Sequence, residues 1–319
     1  MNDDSNSTFL ERFAWLSIAA AIVTIALKAG AAKLTGSVGL LSDAMESVVN
    51  LVAAVVALIA IRISAKAPTE DYAHGREKAE YLSAGVEGTM IVLAAAAITV
   101  AAVDRLIHPG QVESLGVGLA VSALASLINL AVALVLIRAG TTHRSITLEA
   151  DGKHLMTDVW TSGGVIVAMG LVKLTGWSAF DPIIAMGVAA NIVVAGFVLV
   201  RRSIRGLLDA SIPPEQRDTI EVVLNRFRSA DVQFHALRTR QAGRRSFISF
   251  HVLVPGATSV LDAHDLVEGI EDALREALPG VSVTAHIEPF EDPRSYADEG
   301  LDPTAVPPSS VLRPRPEAH

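Results

Sequence analysis

A bundle of six membrane-spanning helices followed by a small cytoplasmic α+β domain is the architecture this sequence predicts. Three observations carry that expectation. The chain of 319 residues is 51% hydrophobic with a mean hydropathy of +0.43, too apolar for an ordinary soluble domain. Six segments reach the roughly 20 apolar residues needed to cross a hydrocarbon core. Beyond Arg205 the pattern changes to amphipathic helices and alternating strands.

The spans are expected at residues 13–34, 38–61, 81–102, 115–137, 155–174 and 182–199, within a transmembrane domain of residues 13–206 that follows an N-terminal segment, 1–12. That segment holds Asp3 and Asp4 and no basic run, unlike a cleaved signal peptide. Lys66, Arg76 and Lys78 follow the second span, Arg138, Arg144 and Lys153 the fourth, and Arg201, Arg202 and Arg205 the sixth, whereas the opposite loops carry Lys33, Arg105 and Lys173. This bias places both termini in the cytoplasm of a cell (inner or plasma) membrane. Gly30, Gly85, Gly88, Gly163 and Gly164 are expected to let helices approach closely.

Polar residues inside the spans mark where chemistry is expected. Asp43, Glu46 and Asn50 stand at i, i+3 and i+7, on one helical face. An acidic group at mid-bilayer depth costs roughly 3 kcal/mol, so that face needs a partner. His154 and Asp158, one turn apart in the fifth segment, supply it. Glu46, Asn50, His154 and Asp158 together offer four ligands suited to a divalent transition metal. Without any cysteine, disulfides and thiolate sites are excluded. Lys28 is expected to snorkel or to pair within the bundle, and Asp43 to pack, face water or act as an exit ligand. Glu80 and Glu87 are candidates for an access funnel or for ion pairs.

The C-terminal part reads as α-β-β-α-β over residues 207–289, a ferredoxin-like or metallochaperone-like order. An amphipathic helix opens at Pro213 and Pro214, a hairpin joins 232–241 to 246–254, a capped helix begins at Ser259, and a last strand covers 281–288. Residues 290–319, rich in proline and acidic groups, are expected to be disordered. From Leu207 onward 18 acidic face 11 basic residues, so seven of the eight net negative charges lie here; nucleic acid is an unsuitable partner. Alternation leaves His235, His251, His286 and Glu288 on the face opposite the apolar one, with His264 on the helix, a second candidate metal cluster.

Four stretches together resemble the cation diffusion facilitator family of divalent-metal/proton antiporters. They are Gly39-Leu-Leu-Ser-Asp-Ala-Met-Glu-Ser-Val-Val-Asn50, Arg76-Glu-Lys-Ala-Glu-Tyr81, Asp151-Gly-Lys-His-Leu-Met-Thr-Asp158 and His235-Ala-Leu-Arg-Thr-Arg-Gln-Ala-Gly243. The resemblance implies a transport site at Glu46, Asn50, His154 and Asp158, and a homodimer whose cytoplasmic domains bind metal, which His235, His251, His264, His286 and Glu288 fit. It also implies a charge interlock between Lys78 and Asp209. Two departures stand out: the family commonly has Asp where this chain has Asn50, and many members carry two loop histidines where this chain has Tyr72 and Arg76, with His74 out of register.

The expected function is proton-coupled export of a divalent cation, Zn2+ first and Fe2+, Mn2+, Co2+ or Cd2+ as alternatives, with His154 as the point where proton and metal compete. The cation is both substrate and regulator, and no organic cofactor is expected. A metal sensor or passive channel is the alternative. An intramembrane metalloenzyme would need a motif such as His-Glu-x-x-His, and His154 is followed by Leu155.

Overall fold

The six apolar segments form six long helices in the computed structural model, which describes residues 3–35, 38–108 and 117–296. They are α1 (Asp3–Thr35), α2 (Val38–Ser64), α3 (Ala79–Ile107), α4 (Val117–Thr142), α5 (Ile146–Thr175) and α6 (Phe180–Leu207), each long and apolar enough to span a bilayer. In lipid this is forced, because a helix satisfies every backbone polar group within its own segment. The chain divides into two compact units, Met1–Leu208 and Asp209–His319.

Two helices begin earlier than hydropathy indicates. α1 starts at Asp3, since nothing in the polar residues before Phe13 breaks a helix. α5 starts at Ile146, nine residues before the expected Leu155. Ser145 is its N-cap, accepting from Leu148 N, and the polar groups of its first turns find partners inside the bundle. Glu149 accepts from Lys153 at 2.7 Å and from Arg202 at 2.5 Å, and Thr147 Oγ1 donates to the Glu80 carbonyl. His154 therefore stands two turns inside a continuous helix. The first residues expected for the fourth span, Leu115 and Gly116, lie outside the described residues.

Close approach of α3 and α6 depends on glycine. A Cβ at Gly88 would stand 2.9 Å from Val200 and 3.2 Å from the Gly196 carbonyl oxygen, while one at Gly206 would strike the Tyr81 ring. Gly85 and Gly164 are similarly tight against Ser203 and Val188, but Gly30 and Gly163 face open space and are not packing positions.

The second unit has the expected order. α7 (Pro214–Phe227) precedes β1 (Gln233–Ala242) and β2 (Arg245–Val254), then α8 (Val260–Ala277), capped by Ser259, and β3 (Val281–Pro289). The sheet order is β1-β2-β3, with β1 antiparallel and β3 parallel to β2. Ile220 and Leu224 of α7 and Ile270 and Leu274 of α8 pack on Ile248 and Phe250. Both helices thus cover the apolar face and leave the histidine face open. Residues 290–296, expected to begin a disordered tail, are tied back: Phe290 N bonds Val254 O at 2.9 Å, Glu291 accepts from Gly256 N, and Pro293–Tyr296 forms a 3₁₀ turn. The remainder of that segment, 297–319, lies outside the described residues.

Candidate metal sites

α2 and α5 bring Asn50, His154 and Asp158 together, since each helix places its polar residues on one face. His154 Nε2 lies 2.8 Å from Asn50 Oδ1, and Asn50 Nδ2 donates to Asp158 Oδ2. An ionised carboxylate only accepts, so the amide nitrogen must face Asp158 and its oxygen His154. Nε2 is then the ring donor. The other ring nitrogen, Nδ1, is buried without a hydrogen-bond partner.

Glu46, Asn50, His154 and Asp158 all line one cavity of about 570 Å3. Along α3 its walls run from Met90 to Ala101, and along α5 from His154 to Thr161. Hydroxyls and a carboxylate bind one another nearer the α3 N-terminus. Glu80 accepts from Ser145 Oγ at 2.6 Å and Ser64 Oγ at 3.3 Å, and Ser203 Oγ donates to the Tyr81 carbonyl at 2.6 Å. Glu46 shares the cavity but does not close on its neighbours: among the described residues, only His235, His251 and Glu288 form a group of three acidic or histidine ligands within 4.8 Å.

Lys28, Asp43, Glu80 and Glu87 have partners within the bundle. Lys28 is buried and lies 2.9 Å from Asp43 Oδ1, so it pairs within the bundle; Ser122 Oγ of α4 donates to Asp43 Oδ2 at 3.0 Å. Glu80 and Glu87 are buried rather than lining an access funnel; Glu80 is held by hydroxyls as described, and Glu87 accepts from Ser83. Sequence reasoning missed Asn129 of α4, whose Nδ2 reaches Asp158 Oδ2 at 3.4 Å. The signal was present, because Asn129 is a lone amide in an apolar span and stands seven residues, two turns, after Ser122.

In the loop after α2, Arg76 stacks 4.2 Å over the Tyr72 ring and donates to Thr69 Oγ1, while His74 is exposed. A cation–π contact thus joins the two positions, Tyr72 and Arg76. Lys78 Nζ donates to the Leu207 carbonyl, and Asp209 accepts from Arg240 at 3.3 Å.

In the small domain His235, His251 and His286 occupy directly neighbouring positions on β1, β2 and β3. Glu288 is their common partner: Oε2 is 2.9 Å from His235 Nε2 and 3.2 Å from His251 Nδ1, the latter without hydrogen-bond geometry, and Oε1 is 3.7 Å from His286 Nε2. Two imidazoles and a carboxylate converge, a donor set suited to Zn2+ with a coordination position to spare. His264 does not join them; it stands on the exposed surface of α8, which packs on the other side of the sheet. Beside His235 the strand bulges by one residue, with Ala236 at φ +52°. Left-handed backbone at a residue with a Cβ costs on the order of 1 kcal/mol, strain next to a ligand set.

Comparison with known proteins identifies the family. Residues 14–208 match the cation efflux transmembrane domain and residues 212–290 the cytoplasmic domain of cation efflux proteins. An uncharacterized transporter of Synechocystis sp. is 48% identical over 300 residues, 94% of this chain and 96% of that one. The FieF cation-efflux pump of Shewanella oneidensis is 30% identical over 275 residues, 86% and 92% respectively. A metal-bound C-terminal domain of the CzcD transporter from Thermotoga maritima is 33% identical over 25% of this chain and 92% of its own, with a TM-score of 0.23. Six spans, a polar site between α2 and α5, a small trailing α+β domain and both domain matches lead to one conclusion: the chain belongs to the cation efflux (cation diffusion facilitator) family of multi-pass membrane transporters.

Proposed function

We propose that this transporter exports a divalent transition metal, Zn2+ first, from the cytoplasm in exchange for protons by alternating access. The observation that supports this most is the Asn50 amide between His154 and Asp158 on the wall of a cavity that Glu46 also lines. A divalent ion entering there takes the place of the hydrogen between Nε2 and Oδ1. Imidazole donates its lone pair only when that nitrogen carries no proton, so ion and proton exclude each other. Asp158 adds a carboxylate, and Glu46 swings in from the cavity wall as the fourth ligand. With both termini in the cytoplasm of the inner or plasma membrane, the cavity faces outward, and closing it while parting the Glu80–Ser145 contact turns the site inward. The protein acts as a homodimer in the bilayer, with Lys78 and Asp209 as the interlock, and performs no enzymatic reaction.

Proteoliposomes carrying the protein and a luminal Zn2+ indicator test the reading. An imposed pH gradient is expected to drive Zn2+ against its concentration gradient. Zn2+ that only runs downhill, whatever the pH gradient, would establish a passive channel instead; no movement at all would leave a sensor.

The small-domain cluster regulates in this scheme. Its ligands sit on strands outside the spans, so metal bound there can tighten the dimer but cannot cross. The double variant H251A/H286A is expected to keep transport within about twofold at saturating metal and to lose metal-induced tightening of the dimer. Abolished transport with dimer and fold intact would overturn that role.

A further inference from the structure

α4 carries an amide that the ligand set above does not use. Asn129 is the thirteenth of the 26 residues of α4 and only 3% exposed, in a helix that is otherwise almost wholly apolar around it. A buried amide without a partner is costly, and the partner shown for this one is Asp158 Oδ2. That same oxygen also receives the Asn50 amide. One turn-pair earlier on the same face, Ser122 donates to Asp43, so α4 presents a donor to an acidic residue of α2 and to one of α5. Resting on the transport reading, we propose that Asn129 is a positioning residue that sets the metal selectivity of the site.

The argument is one of ligand count. Two amide donors on Oδ2 engage that oxygen and leave Oδ1 as the free end of the carboxylate. Asp158 then binds an ion through one oxygen. Monodentate carboxylates suit four-coordinate ions such as Zn2+, whereas ions that accept six or more oxygens gain from a bidentate carboxylate. Removing the α4 donor loosens Oδ2 and tilts the site toward the second class. The long 3.4 Å contact makes this a bias and not an absolute filter.

Transport kinetics in proteoliposomes read the membrane site alone. Replacing Asn129 by leucine keeps the volume and removes the donor; replacing it by glutamine keeps the donor on a longer arm. Asn129→Leu is expected to raise the KM for Zn2+ about three- to tenfold, the range for losing one ordinary hydrogen bond, as the long contact implies, with kcat within about twofold. Its Mn2+ to Zn2+ preference should rise several-fold, while Asn129→Gln stays nearer the wild type in that ratio. Unchanged selectivity in the leucine variant, or equal shifts in both variants, would make Asn129 a packing residue and overturn the proposal. Wild type and His154→Ala run alongside: a wild type that moves no metal sinks the transport reading and this inference with it. Intact wild-type transport lost in His154→Ala, with Asn129→Leu unaltered, sinks this inference alone.

Discussion

His154→Ala is expected to lower kcat/KM for metal by at least about a hundredfold and to abolish any response to a pH gradient. Removing a group that merely orients a ligand typically costs 10- to 100-fold in metal affinity, so deleting a ligand should cost more. The geometry explains why no neighbour substitutes. Nε2 of His154 is 2.8 Å from the Asn50 carbonyl oxygen, and without it the amide keeps only its bond to Asp158. The remaining ligands, two carboxylates and an amide, hold a transition metal less well than a set containing imidazole. Proton-linked uptake of Zn2+ in proteoliposomes, compared at several internal and external pH values, gives the answer. An alanine variant that transports slowly yet still responds to the gradient would place the coupling proton on a carboxylate, with Glu46 the first to examine.

In this chain the bilayer made the candidate intramembrane site legible before any coordinates. A polar residue in a span is expensive, so Glu46, Asn50, His154 and Asp158 could be picked out by type and spacing alone, and the structure joins His154 and Asp158 through the Asn50 amide beside a cavity that Glu46 also lines. The same rule should have found Asn129, but a single amide with no charged companion on its own helix drew no attention. The early start of α5 was hidden for another reason. Hydropathy counts Glu149 and Lys153 against a span, whereas their mutual bond and the link to Arg202 bring those charges into the bundle as a satisfied network. In the small domain alternation placed His235, His251, His286 and Glu288 on one face, because a strand has only two faces. His264 shows the limit of that reasoning: helical residues near the cluster in sequence are carried to the other side of the sheet by the α8 crossover from β2 to β3. The bulge at Ala236 was not legible either, since alanine does not favour positive φ and only the pairing of β1 with β2 imposes it.

Asn50→Asp should change the pH profile and the ion preference together. In the wild type the Asn50 amide nitrogen donates to Asp158 and its oxygen accepts from His154, linking the two residues without adding charge. An occupied site then holds a 2+ ion against two carboxylates, Glu46 and Asp158, and is close to neutral. A carboxylate at position 50 cannot donate to Asp158, so two acidic groups would face each other at hydrogen-bond distance with a proton shared between them, as paired carboxylates do. Metal must displace that extra proton. The pH at half-maximal transport is therefore expected to move upward, and transport lost as pH falls should be lost sooner than in the wild type. Above that range a third negative oxygen ligand favours hard ions, and Mn2+ should gain about tenfold relative to Zn2+, a shift of roughly 1.4 kcal/mol. Asn50→Leu removes the link with no charge added and should weaken every metal without moving the preference. Competition between Zn2+ and Mn2+ across pH 5.5–8 in all three proteins distinguishes these outcomes. Superimposable profiles would show that the amide only packs, and that the ligand between His154 and Asp158 is water.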